Sequence, residues 1–129
     1  MQQSDILPII RNVSKYIYKH IGDPVKYTTR PQSISVFFTI YYQIPIAGDR
    51  PGSPMQYGDV YDMIIEMNLV TYANKIRVNI LEISPEEYTI GHKVYDPDEF
   101  LNVSELQSLI IDDTYTAIKK RFEDYEFIF

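Results

Sequence analysis

The stretch Ser33-Ile34-Ser35-Val36-Phe37-Phe38-Thr39-Ile40-Tyr41-Tyr42-Gln43-Ile44 decides the fold. Side chains alternate across a β-strand, so Ile34, Val36, Phe38, Ile40, Tyr42 and Ile44 share one face. Between them stand Ser33, Ser35, Thr39 and Gln43, the pattern of a sheet covered on one side only. Phe37 and Tyr41 break that pattern, because they are large aromatics on the face that should meet water.

On the C-terminal side, residues 45–58 hold Pro45, Gly48, Pro51, Gly52, Pro54 and Gly58 and read as a long surface loop. Alternation returns over residues 59–71, with Tyr61, Met63, Ile65, Met67 and Leu69 inward and Val60, Asp62, Ile64, Glu66, Asn68 and Val70 outward. Tyr72-Ala73-Asn74-Lys75 is a tight turn with Asn74 suited to positive φ. Residues 76–83 form the returning strand, with Ile76, Val78 and Ile80 inward and Arg77, Asn79 and Leu81 outward. On the outer face of this hairpin, Asp62 and Glu66 are expected to meet Lys75 and Arg77. Residues 84–87 connect to a last strand over 88–95. Its apolar phase places Tyr88, Ile90, His92 and Val94 inward and Thr89, Gly91, Lys93 and Tyr95 outward.

Helices flank this run. Over residues 5–21, Ile6, Ile9, Ile10, Val13, Tyr16, Ile17 and Ile21 recur at helical spacing, with Ser4 or Asp5 as cap and Pro8 expected in the first turn. Gly22 and Pro24 stop it, and residues 25–30 form a short edge strand. Asn102 and Glu105 make a capping-box pattern ahead of a second helix, striped by Val103, Leu106, Leu109, Ile110, Ala117, Ile118, Phe122 and Tyr125. Asp112-Asp113 reads as solvated surface opposite that stripe. The order predicts one α+β domain over residues 1–129. It is a two-layer fold in which a four- to five-stranded antiparallel meander carries an N-terminal and a C-terminal helix on one face.

Composition narrows the function classes. The chain has 129 residues and 15.2 kDa, enough to bury roughly two thirds of its extended surface. It has no Cys, which removes disulfides, thiolate metal sites and a Cys nucleophile. Eighteen acidic against 12 basic residues give −6, which disfavours a broad nucleic-acid footprint, and Phe37 and Tyr41 lack basic neighbours in sequence for stacking bases. No apolar run is long enough for a membrane span, and no leader pattern opens the chain. The expected setting is cytoplasmic, or an intracellularly assembled complex or virion.

Chemistry-bearing motifs are sparse. There is no G-x-G-x-x-G, no G-x-x-x-x-G-K-[ST] and no G-x-S-x-G. His20 and His92 lie far apart in sequence, and neither shows metal-ligand spacing. No metal or cofactor is expected. The Gly-rich run 48–53 reads as a plain loop more readily than as an anion cradle. If the chain were a small enzyme or ligand binder, the site would be a cleft between sheet and helices. It would use His92 with Asp62 or Glu66, lined by Tyr88 and Tyr95.

What exceeds a minimal core is surface apolarity. Phe37, Tyr41, Ile64 and Leu81 mark the outer sheet face, Met55 and Tyr57 stand in the long loop, and Phe127-Ile128-Phe129 end the chain. The tail, residues 126–129, either tucks in as a last short strand or offers itself to a partner. These features favour a non-catalytic interaction or assembly module, a homo-oligomer or a small subunit of a larger complex. A viral or phage structural component and a chaperone-like dimer both fit.

Overall fold

The computed structural model describes residues 3–46, 56–121 and 126–128. Residues 47–55 and Phe129 lie outside what it describes, Met55 among them, as do the side chains of Tyr57, Phe127 and Ile128. The fold is α+β: an antiparallel sheet with an N-terminal and a C-terminal helix, matching the sequence pattern.

Helix α1, Gln3–His20, buries Ile6, Ile9, Ile10, Val13 and Ile17 completely or nearly so. It starts two residues earlier than expected, so Pro8 falls past the first turn. The hydrogen bond Pro8 forgoes is the one to the Ser4 carbonyl, still at the helix start. Ser14 also turns inward, and its hydroxyl bonds the Arg11 carbonyl and the Tyr27 hydroxyl at 2.9 Å each. Tyr16 belongs to the stripe by spacing but sits at its margin, 42% exposed and with its ring tilted against that of His20.

Gly22 then reverses the chain into β1 (Asp23–Arg30), followed by β2 (Ser33–Ile46), β3 (Gln56–Tyr72), β4 (Lys75–Ser84) and β5 (Tyr88–Tyr95). These pair in sequence order, each antiparallel to the next. β2 and β3 run further than the Pro and Gly content suggested, with Pro45 opposite Tyr57 beyond a register shift that puts one extra residue in β3 between Tyr57 and Val60. The tail forms β6 (Glu126–Ile128), which pairs with Tyr41–Gln43 of β2 beyond the last β1 pairing at Thr39. Of its two expected placements, the structure adopts the strand.

After a 3-10 turn at Pro97–Glu99, the Asn102 side chain accepts the Glu105 amide at 2.9 Å and starts α2 (Val103–Arg121). Leu106, Ile110, Thr114 and Ile118 form its buried row, one every four residues. Thr114 escaped the sequence reading. Its hydroxyl donates to the Ile110 carbonyl at 2.8 Å, which lets a polar residue sit in the core row. Both helices cover the same sheet face, α1 over β1 to β4 and α2 over β5. Beneath them lie Ile34, Val36, Phe38 and Ile40 of β2, Met63, Ile65, Met67 and Leu69 of β3, and Ile76, Val78 and Ile80 of β4. Tyr61, expected in this row, is 46% exposed and stacks on Tyr42 where β3 runs past the helices.

Two backbone positions test how the turns are set. Ala73 and Asn74 have φ of 52° and 60°, both left-handed, as a two-residue hairpin turn requires. A methyl is misplaced there, so Ala73→Gly should stabilise by about 1 kcal/mol in urea denaturation. Gly22 has φ of 63°, and a Cβ on it would stand 2.2 Å from the Thr39 carbonyl oxygen. Gly22→Ala should therefore destabilise by more than about 2 kcal/mol in the same assay.

Candidate functional site

The two-residue turn at Ala73-Asn74 fixes the β3–β4 register and, with it, the outer face. Tyr72 pairs with Lys75, Val70 with Arg77, Asn68 with Asn79 and Glu66 with Leu81. Asp62 and Glu66 therefore do not meet Lys75 and Arg77, contrary to the sequence expectation. They stand well along β3, away from the turn.

A second register feature overturns the reading of β5. Ile80 pairs with Gly91, but the next residue, Leu81, pairs with Thr89, so Ile90 is an extra residue in β5. A bulge inverts the alternation that follows it. Tyr88 faces the helices, and beyond Ile90 so do Gly91, Lys93 and Tyr95. His92, expected inward, is exposed on the outer face opposite Asn79, and Val94 is 47% exposed. Gly91 is where α2 comes closest: a Cβ there would touch the Ala117 methyl at 3.5 Å.

The sheet–helix cleft therefore contains a different cluster from the one anticipated. Asp113 of α2 accepts hydrogen bonds from Lys93 Nζ and Tyr95 Oη, both at 2.7 Å, beside a cavity of about 240 Å³. Asp113 is not the solvated surface residue its place after Asp112 suggested. Burial, then the hydrogen bond to Asp113 and its negative charge, push the Tyr95 phenol far above its ordinary range. This tyrosine is held as a donor, the opposite of what a general base needs. The His92 side chain does not reach into the sheet–helix cleft; it and Glu66 both border a shallow depression on the outer face. Strand β4 lies between β5 and β3, which separates them by roughly 10 Å or more.

The outer face is where the sequence-predicted residues do assemble. Phe37, Tyr41, Ile64 and Leu81 all lie on it, and each is half-buried. They do not form one unbroken apolar surface. Glu66 stands between Phe37 and Leu81 in the cross-strand row, with Ile64 two residues along β3. Lys26 rests over the Phe37 ring at 5.7 Å. The Tyr41 hydroxyl bonds Asp23, and that carboxylate raises its pKa, with a smaller contribution from Asp62. The next row, Thr28, Ser35, Asn68, Asn79 and His92, is short and polar across all five strands. Asn68 donates to the Ser35 hydroxyl at 2.8 Å, and the row floors a shallow depression of about 630 Å³.

Charge is graded along this face. Arg30 and Arg77 stand near the hairpin turns, whereas Asp23 and Asp62 stand at the far end. Single-residue motifs could not reveal that grading, because it needs the register of four strands at once. Among the described residues no three His, Asp or Glu groups converge as a metal site, and no helix is long and apolar enough to cross a membrane.

No family model, curated protein or solved structure matches the chain.

The Tyr95 cluster carries a pH signature. A phenol whose folded pKa lies above its unfolded value, near 10, stabilises the fold fully below that value. The contribution is lost as pH rises through 10 toward the folded value. Unfolding free energy should therefore fall above about pH 10, and Tyr95→Phe should flatten that decline while costing about 1–3 kcal/mol at neutral pH. Urea denaturation at pH 7, 9 and 11 measures both.

Proposed function

We propose that the chain is a non-catalytic assembly module whose uncovered sheet face docks onto the same face of a second copy. The observation that carries this reading is the coincidence of half-buried apolar residues with graded charge on one uncovered face. A two-fold axis running across the strands superimposes each end of the face on the opposite end of its partner. Arg30 and Arg77 of one copy then approach Asp23 and Asp62 of the other, while Phe37, Ile64 and Leu81 meet near the centre. Sheets stack face to face about 10 Å apart, which side chains of this size fill. The short row from Thr28 to His92 leaves room for the partner's larger residues.

The module reading also suits the cleft. Its tyrosine is pushed toward the neutral form and its aspartate is committed to two donors, so the cluster ties β5 to α2. A homo-oligomeric structural subunit, or a small component of a larger assembly, is the corresponding role.

Light scattering across a range of concentrations tests the proposal. The expected result is a rise toward twice the 15.2 kDa chain mass, weakened by added salt. Ile64→Asp should return the protein to a monomer with an unchanged far-UV circular dichroism spectrum. Tyr41→Ala should weaken association without a large loss of stability, because its ring is not part of the buried core. A strict monomer at the highest concentration, or a dimer indifferent to Ile64→Asp, would overturn it.

A further inference from the structure

We infer that the cleft between α2 and β5 binds a small neutral alcohol, an apolar body carrying one hydroxyl group. The extra residue Ile90 creates the space. Because of it, the inward row of β5 reads Gly91, Lys93 and Tyr95, and the larger apolar Val94 stands on the outer face. Helix α2 packs against this strand all the same. Gly91 brings no side chain to the layer between them, and Ala117 opposite it brings one methyl. Lys93 extends to Asp113 instead of filling the gap. A cavity of about 240 Å³ results, floored by the buried Val78 and Ile80 of β4. Well-packed interiors leave few gaps larger than a water molecule, so the space needs an occupant.

The lining selects that occupant. Val78, Ile80 and Ala117 offer hydrocarbon, which favours an apolar body. Apolar cavities of about 150 Å³ take up benzene, so this one has room for a ring and a short substituent. The charged groups in the wall are one pair, Asp113 with Lys93. Both donors to Asp113, Lys93 Nζ and Tyr95 Oη, arrive at Oδ2. Oδ1 accepts no hydrogen bond from a described residue and can accept one from a ligand hydroxyl. Charge excludes the alternatives. A ligand anion would stand against the Asp113 carboxylate, and a ligand cation against the Lys93 ammonium, which already offsets that carboxylate. A neutral hydroxyl meets neither repulsion.

This cleft is on the helix side of the sheet, and the proposed docking face is on the other. The inference therefore goes beyond the assembly reading and does not depend on it.

The test is a titration of the full chain with benzyl alcohol, followed by backbone amide NMR shifts. Toluene serves as the control without a hydroxyl, and benzylamine and benzoate as the charged controls. Expected are saturable shifts at Val78, Gly91, Lys93 and Ala117 with benzyl alcohol. Toluene should bind about tenfold more weakly, for want of one hydrogen bond to a charged group, and both charged compounds more weakly than the alcohol. Gly91→Val adds two methyls at the cavity wall and should weaken binding at least about tenfold. Should that variant fail to fold, Ala117→Met decides, because its flexible side chain can fill the same space from the helix. No saturable shift, shifts confined to the outer face, toluene or a charged compound binding as tightly as the alcohol, or affinity unchanged in the filled variant would overturn the site. Light-scattering association bears on the docking face alone, so the two readings fail separately.

Discussion

The isoleucine stripe of α1 pressed onto the inward rows of β2 and β3 is the contact on which the rest of the structure depends. Ile6, Ile9, Ile10, Val13 and Ile17 meet Val36, Phe38, Ile40, Met63, Ile65 and Met67 in one layer, in a chain with no Cys and so no disulfide to assist. Burial at about 25 cal/mol per Å² of apolar surface is the main force available to such a domain. It commits one face of the sheet to the helices and leaves the other outward. Gly22 lets α1 turn back over β2, because only a residue without a side chain fits against the Thr39 carbonyl.

That one-sided arrangement separates two kinds of chemistry. Under the helices, polar groups are few and mostly satisfied: Ser14, Thr114 and Tyr95 each have a partner within 3 Å. Glu82 differs from these in having a buried Oε1 with no hydrogen bond among the described residues, and it sits beside the irregular stretch of β4 and β5. On the outer face, short hydroxyl and amide side chains occupy the middle, and charged groups occupy the ends. That coincidence of half-buried apolar residues with charged ends on one face is what supports the proposed assembly role.

The outward placement of Phe37, Tyr41, Ile64 and Leu81 was legible in the sequence, because period-two alternation over long strands has only one consistent phase. The position of His92 was not. Ile90, His92 and Val94 alternate as cleanly as any core row, yet one extra residue at Ile90 reverses the phase beyond it. Asp113 was likewise hidden, since the same extra residue carries its partners Lys93 and Tyr95 to the face opposite the one their spacing predicts. The pairing of Asp62 and Glu66 with basic residues failed for a simpler reason. A two-residue turn sets the hairpin register, and it places Glu66 against Leu81.

The sequence by itself determined the element order, the helix and strand types, the turn at Ala73-Asn74 and the single covered face. All of these follow from local periodicity and backbone preference. Only the tertiary structure decided the phase of β5, the burial of Glu82, the capture of the tail by β2 and the charge gradient across the outer face. Those depend on bulges and on pairings between strands distant in sequence. A bulge takes a single residue, leaves almost no mark on composition, and moves every side chain after it to the opposite side.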